Sequence, residues 1–254
     1  MPGVPHLFRG QPERFRDGRP GMAPGMLRIV KTRCFLTLLF SSLALPVFAA
    51  DPMAPIEPKG NKPVKVACVG DSITEGAGAE KGKSYPSQLQ ALLGDKWEVR
   101  NFGLGGRTML RKGDHPYWNE GAFKEAQEYK PDVVIIMLGT NDTKPQNWKH
   151  KDEFADDYRD FVKTFQKITP EPRVYICRPV PVPGEGNFGI NEKALQEQMP
   201  IIEKISRTQK TGLIDMYAAL DGKPELLPDR VHPNTDGAGE MAKAAAKALT
   251  GKNP

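Results

Sequence analysis

Cysteine is scarce in this chain: three in 254 residues, Cys34, Cys68 and Cys177. So few cannot frame a small disulfide-stapled fold, and stability must come from an apolar core. Cys68 and Cys177 each lie in an apolar, β-rich run, where a free thiol behaves as a small core residue. Histidine numbers four. His115, His150 and His232 stand far apart with no i,i+4 or Cys partner, which is not the spacing of a zinc site. No metal and no cofactor are expected. Long apolar runs are also missing. Phe35–Leu45 has 11 residues, short of the ~20 that a spanning helix needs. Nor is there an internal repeat, or a low-complexity tract beyond residue 63.

An excess of basic charge is absent from most of the chain. The formal charge of +5 comes from 36 Lys/Arg against 31 Asp/Glu. Residues 1–49 hold seven of the former and two of the latter, which leaves 29 of each sign beyond them. The sequence pI near 9.0 therefore belongs to the leader. No basic patch marks the remainder for nucleic acid.

That leader has three parts. Met26–Arg33 is positive, Phe35–Leu45 is apolar, and Pro46-Val47-Phe48-Ala49-Ala50 carries small residues at the positions a signal peptidase reads. A signal peptide over 26–49, cleaved near Ala49, is expected, and with it a secreted or periplasmic product and no stable membrane span after cleavage. An uncleaved N-terminal anchor is the alternative. Residues 1–25 are rich in Gly, Pro and Arg without apolar periodicity. They read as a segment upstream of the true start, at Met26 or Met22. Residues 50–63 read as a linker with little to offer a core.

From residue 64 onward, β-rich runs alternate with helical patterns. The runs are 64–69, 97–102, 133–138, 174–177 and 213–216. They are apolar on both sides rather than alternating, as in strands buried on both faces of a parallel sheet. Helices are expected over 85–93, 152–168, 191–207 and 235–249. In the second, Phe154, Tyr158, Phe161, Val162, Phe165 and Ile168 recur at helical spacing, a core stripe. Asp156 and Asp157 fall on its solvated face. The alternation implies a three-layer α/β/α sandwich around a five-stranded parallel sheet, one domain over 64–250.

Four short words follow the strands. Gly70-Asp71-Ser72 follows the first, Asn101-Phe102-Gly103-Leu104-Gly105-Gly106 ends the second, and Gly139-Thr140-Asn141-Asp142 follows the third. Asp229-Arg230-Val231-His232 comes after the fifth. Ligands of open parallel sheets bind beyond the carboxyl ends of the strands, so parallel strands would bring all four words to one edge. Ser72 offers a hydroxyl that is a poor nucleophile until a base takes its proton. His232 can be that base near neutral pH. Asp229, three residues earlier, can orient the imidazole. Pro233 biases His232 toward an extended backbone and suits the first position of a helix. An oxyanion would be met by the N–H groups of Ser72 and Gly106 and by the side chain of Asn141. Asp71 and Asp142 read as loop braces rather than catalytic acids.

With these blocks in this order, the chain resembles the SGNH (GDSL-type) hydrolases. Gly70-Asp71-Ser72-Ile73-Thr74 resembles the nucleophile block. Asn101–Thr108 resembles the second, with its oxyanion glycine at Gly106. Gly139-Thr140-Asn141-Asp142 and Asp229–Pro233 resemble the last two. The resemblance covers about residues 64–249. It implies a flavodoxin-like fold and a serine esterase working through an acyl-enzyme, without cofactor. It extends to bacterial exported acetylesterases acting on carbohydrates. Arg107 departs from the pattern, where many members carry a small or acidic residue, and so bears on substrate choice. Trp118, Trp148 and Arg178, in or beside polar loops at the same edge, are candidate contacts for a sugar; anchoring of the loops is the plainer alternative. A lysophospholipase or thioesterase, and a non-catalytic carbohydrate-binding module on this fold, are the rival functions.

Overall fold

The computed structural model describes residues 54–254. The expected signal segment, its cleavage point, Cys34 and the two candidate start methionines lie outside the described residues.

Five strands form one sheet: β1 (Val64–Gly70), β2 (Trp97–Gly103), β3 (Val133–Met137), β4 (Arg173–Arg178) and β5 (Gly212–Asp215). Every pairing is parallel and the order is β2-β1-β3-β4-β5. The chain therefore moves outward from β1 in one direction to β2 and in the other through β3 to β5. This is the flavodoxin-like order, whose crevice opens between β1 and β3.

Alternate side chains of the central strands feed two cores. Val66 and Cys68 of β1, with Val133, Ile135 and Met137 of β3, face one side. Ala67, Val69, Val134 and Ile136 face the other. A strand buried on both faces has no polar side to show, which is why these runs read as continuous rather than alternating. The first core is closed by α2 (Tyr85–Leu93), α7 (Met216–Leu220) and α8 (Thr235–Thr250). The second is closed by α3 (Gly121–Glu128), α5 (Lys151–Gln166) and α6 (Glu192–Gln209). Two short helices, α1 (Ser72–Glu75) and α4 (Pro145–Trp148), lie just past β1 and beyond β3. Cys68 and Cys177 are free and buried in the first core; burial pushes the Cys68 thiol up to about 12.

Three local expectations change. Ile56 of the supposed linker packs on the first core, and its N–H donates to the Leu249 carbonyl at 2.8 Å. Ile56 is thus docked against the last turn of α8. Asp157 is buried rather than solvated, and accepts from Arg111 N–H at 2.8 Å. Pro233 precedes α8 rather than starting it: Asn234 is the N-cap and accepts from Gly237 N–H. An Asn side chain satisfies an orphan helix donor, which proline cannot do. Helix α3 escaped the sequence reading because only Ala126 of its eight residues is fully buried.

Candidate active site

β1 delivers Ser72 through a tight turn. A Cβ on Gly70 would lie 2.7 Å from the Met137 carbonyl oxygen and closer still to Thr74, so only glycine lets β1, β3 and α1 approach here. Asp71 then caps α1, its Oδ1 accepting from Ile73 N–H at 3.0 Å. Ser72 is the first residue of that helix.

His232 comes from the segment between β5 and α8. Arg230 holds a left-handed backbone, φ +69, which folds Asp229 back over Val231 and His232. Asp229 Oδ1 accepts from the N–H groups of Val231 and His232 at 2.9 and 2.7 Å. Its Oδ2 lies 2.7 Å from His232 Nδ1. His232 Nε2 lies 2.9 Å from Ser72 Oγ. An ionised carboxylate can only accept, so the proton of a neutral imidazole sits on Nδ1 and leaves Nε2 to accept from the serine. Burial pushes the Asp229 carboxyl up, but hydrogen bonds from the backbone and ring of His232 outweigh it. The group sits below its ordinary value and stays ionised at neutral pH.

Asn141 opens the turn after β3 and is buried. Its Nδ2 donates to the Arg107 carbonyl at 3.2 Å and lies 3.4 Å from Asp71 Oδ2. Gly139 before it has φ +125, and a Cβ there would meet Gln198 Oε1 at 2.8 Å. Gln198 Nε2 in turn donates to the Gly139 carbonyl at 2.9 Å, which fixes the strand end. Gly106 has φ +79 with open space around its Cβ position. The N–H groups of Ser72 and Gly106 find no acceptor among the described residues.

The loop carrying Gly106 is braced from two sides. Asp142, fully buried, accepts from Met109 and Leu110 N–H at 2.9 and 2.7 Å. Arg107 Nη1 donates to the Gly105 carbonyl and its Nε to Glu120 Oε1. Burial pushes the Asp142 carboxyl up to about 7 against the pull of the Leu110 and Met109 N–H groups. Asp71 is raised to about 7 as well, by burial and by the nearby charge of Asp142, against its bond from Ile73. Asn101 ties β2 to the nucleophile helix by donating to the Thr74 carbonyl at 2.8 Å.

Each of the three candidate sugar contacts has partners inside the domain. Trp118 Nε1 donates to the Met109 carbonyl, and its ring packs edge-on against Phe161 and under the Arg111 guanidinium. Trp148 Nε1 donates to Glu197 and its ring meets Phe154. Arg178 pairs with Asp215 and Glu203 at 2.5 and 2.7 Å. Both tryptophans are partly buried against the second core, with their N–H groups paired. Arg178 is engaged by two carboxylates. Two features escaped the sequence reading. One is the Arg107–Glu120 pair. The other is Phe188, whose ring centroid lies 5.6 Å from that of His232. Its only signal was a lone aromatic among the glycines of 184–189. Among the described residues, no group of three His, Cys, Asp or Glu could hold a metal ion.

A serine, an imidazole and a carboxylate in one hydrogen-bonded chain, at the switch point of a flavodoxin-like sheet, define a hydrolase-type α/β domain. The profile of the GDSL-like lipase/acylhydrolase family matches residues 68–239, and the chain belongs to that family. It is 37% identical over 207 residues to an acetylxylan esterase of Xylanibacter ruminicola, covering 73% of this chain and 43% of that protein. It is 21% identical to a multidomain esterase of Ruminococcus flavefaciens, over 85% of this chain and 32% of that one. The chain thus spans less than half the length of either curated relative. Among solved structures it is similar to the acetyl xylan esterase AlAXEase, with a TM-score of 0.60 and 26% identity over 73% of this chain and all of that one. The carbohydrate acetylesterase Est24 of Sinorhizobium meliloti shares the fold, with a TM-score of 0.60 and 23% identity over 72% of this chain and 97% of that one.

Proposed function

We propose that this chain is an exported serine esterase that removes short acyl groups, acetyl above all, from carbohydrate hydroxyls. The observation that carries the reading is the unbroken chain Ser72 Oγ, His232 Nε2, His232 Nδ1, Asp229 Oδ2, with contacts of 2.9 and 2.7 Å. It lies beside two backbone N–H groups that have no partner among the described residues.

In this reading, Ser72 Oγ attacks the ester carbonyl while His232 Nε2 takes the hydroxyl proton. The carbonyl oxygen gains the negative charge and is met by the N–H groups of Ser72 and Gly106 and by Asn141 Nδ2. That interaction is stronger for the tetrahedral state than for the ester, so it lowers the barrier. Collapse breaks the bond to the alcohol oxygen, which takes the proton from His232. The acyl group remains on Ser72. Water then gives its proton to His232, attacks the acyl carbonyl, and releases the acid; Ser72 recovers its proton. Asp229 stays ionised throughout and stabilises the imidazolium. Proton and electron counts balance without a cofactor.

The carbohydrate part is supported by the relatives, described as acetylxylan and carbohydrate acetylesterases. Export is supported by the three-part pattern over 26–49. The test is acetate release from acetylated xylan, sialic acid and peptidoglycan sugars, with Ser72→Ala as control and p-nitrophenyl esters from acetate to palmitate alongside. Acetate release from at least one sugar, with a preference for two to four carbons, is expected. Peak activity at eight carbons or longer would establish the lipase-type rival. A mature N-terminus near residue 50 in exported protein checks the localisation.

A further inference from the structure

Two large apolar side chains are exposed among the described residues, Leu92 and Phe188. Leu92 lies near the end of α2, ahead of the start of β2 and so at the opposite end of that strand from the site. Phe188 stands beside His232 at a centroid distance of 5.6 Å, its ring inclined by 52° to the imidazole and the residue 57% exposed. Its backbone is left-handed, φ +54. An aromatic side chain is rarely found there. Both the exposure and the backbone are unfavourable.

The turn that presents Phe188 is nonetheless firmly built. Asn187 Oδ1 accepts from Phe188 N–H at 2.8 Å, and Ile190 N–H donates to the Asn187 carbonyl at 2.7 Å. Asn187 Nδ2 donates to the Asp229 carbonyl at 3.2 Å, which ties the turn to the segment that orients His232. Gly186 has φ +71, and a Cβ there would collide with the Ile190 carbonyl oxygen. A costly conformation held by so many bonds points to function rather than slack.

Resting on the esterase reading, the geometry points to Phe188 as the platform for the alcohol half of the substrate. His232 Nε2 must reach the leaving oxygen to return its proton, so the alcohol lies on the imidazole side of Ser72. The carbonyl oxygen points instead to the oxyanion donors. A ring beside the imidazole therefore meets the alcohol. A pyranose offers an apolar face of C–H groups that matches an aromatic face, whereas a small aliphatic alcohol offers almost none. Phe188 thus favours sugar esters over alkyl esters of the same acid.

The test is steady-state kinetics of wild type, Phe188→Ala and Phe188→Trp on two acetyl esters, an acetylated xylo-oligosaccharide and methyl acetate. Phe188→Ala is expected to raise KM for the oligosaccharide by about three- to tenfold, the range of one aromatic contact. Its kcat/KM on methyl acetate is expected to stay within about twofold, and Phe188→Trp to keep the oligosaccharide KM low. Equal losses on both esters, or none on either, overturn the role of Phe188 alone. A wild type that cleaves methyl acetate and no acetylated sugar overturns the carbohydrate reading and this role with it.

Discussion

The guanidinium of Arg107 donates through Nη1 to the carbonyl oxygen of Gly105 at 2.6 Å, while Glu120 holds its Nε at 2.9 Å. A trans peptide is planar, so its carbonyl and the following N–H point in opposite directions. Fixing the Gly105 carbonyl therefore fixes the Gly106 N–H. Arg107→Ala is expected to lower kcat by about 10- to 100-fold, the cost of misplacing one group by a fraction of an ångström to an ångström. KM should change little. Arg107→Lys should recover only part, because one ammonium cannot reproduce the guanidinium fork. Affinity for a boronic acid that forms a tetrahedral adduct should fall with kcat. An unchanged kcat would remove Arg107 from this role.

Asp229 sets the tautomer of His232 through a 2.7 Å contact to Nδ1. Asp229→Asn offers an amide that can present a donor to that nitrogen and favour the wrong tautomer. A loss of about 10³- to 10⁴-fold in kcat is expected, with the fold retained by circular dichroism. A loss under about tenfold would mean that another group orients the imidazole.

Asp71 and Asp142 lie fully buried, and each is raised to about 7. The unfolded value is about 3.9. Between these values the folded protein binds more protons than the unfolded chain, so their contribution to stability is full below about pH 4 and is lost as pH rises through about 7. Denaturant unfolding at pH 4.5, 5.5, 6.5 and 7.5 should show a smaller decline across this window for Asp142→Asn than for wild type. Identical slopes would mean that Asp142 titrates near its ordinary value. Asp229, which is lowered, acts in the opposite sense and at lower pH.

Two neighbouring glycines should respond differently to alanine. A Cβ on Gly103 would collide with the Glu75 nitrogen and lie 2.6 Å from the Thr74 carbonyl carbon, both backbone. A Cβ on Gly105 would come within 3 Å of nothing but Glu75 Oε2, at 2.9 Å, the end of an exposed side chain. Gly103→Ala is expected to destabilise by about 1–3 kcal/mol through displacement of α1. Gly105→Ala should stay within about 0.5 kcal/mol. Thermal unfolding of the two variants checks the difference.

The layer order of the fold was legible because its central strands are buried on both faces: Val66–Val69 and Val133–Met137 have no other reading in a chain with helical stripes between them. The four words were legible because parallel strands send their ends to one edge. What was not legible depends on contacts between residues distant in sequence. The partners of the Trp118 and Trp148 N–H groups, the Met109 carbonyl and Glu197, carried no signal in the sequence. Asp157 looked solvated until Arg111, 46 residues away, donated to it. Arg107 and Glu120 are 13 residues apart with no pattern linking them. Phe188 carried no periodic signal, and its meaning comes from where the turn at Gly186 places it.

The most direct measurement on Ser72 and His232 is covalent labelling with a small fluorophosphonate, read by peptide mass spectrometry on wild type and on His232→Ala. One adduct per chain is expected, on the peptide carrying Ser72, with labelling of His232→Ala slower by at least about 10³-fold. An active wild type left unlabelled at Ser72, or a His232→Ala variant labelled at the wild-type rate, would contradict the assignment of these two residues.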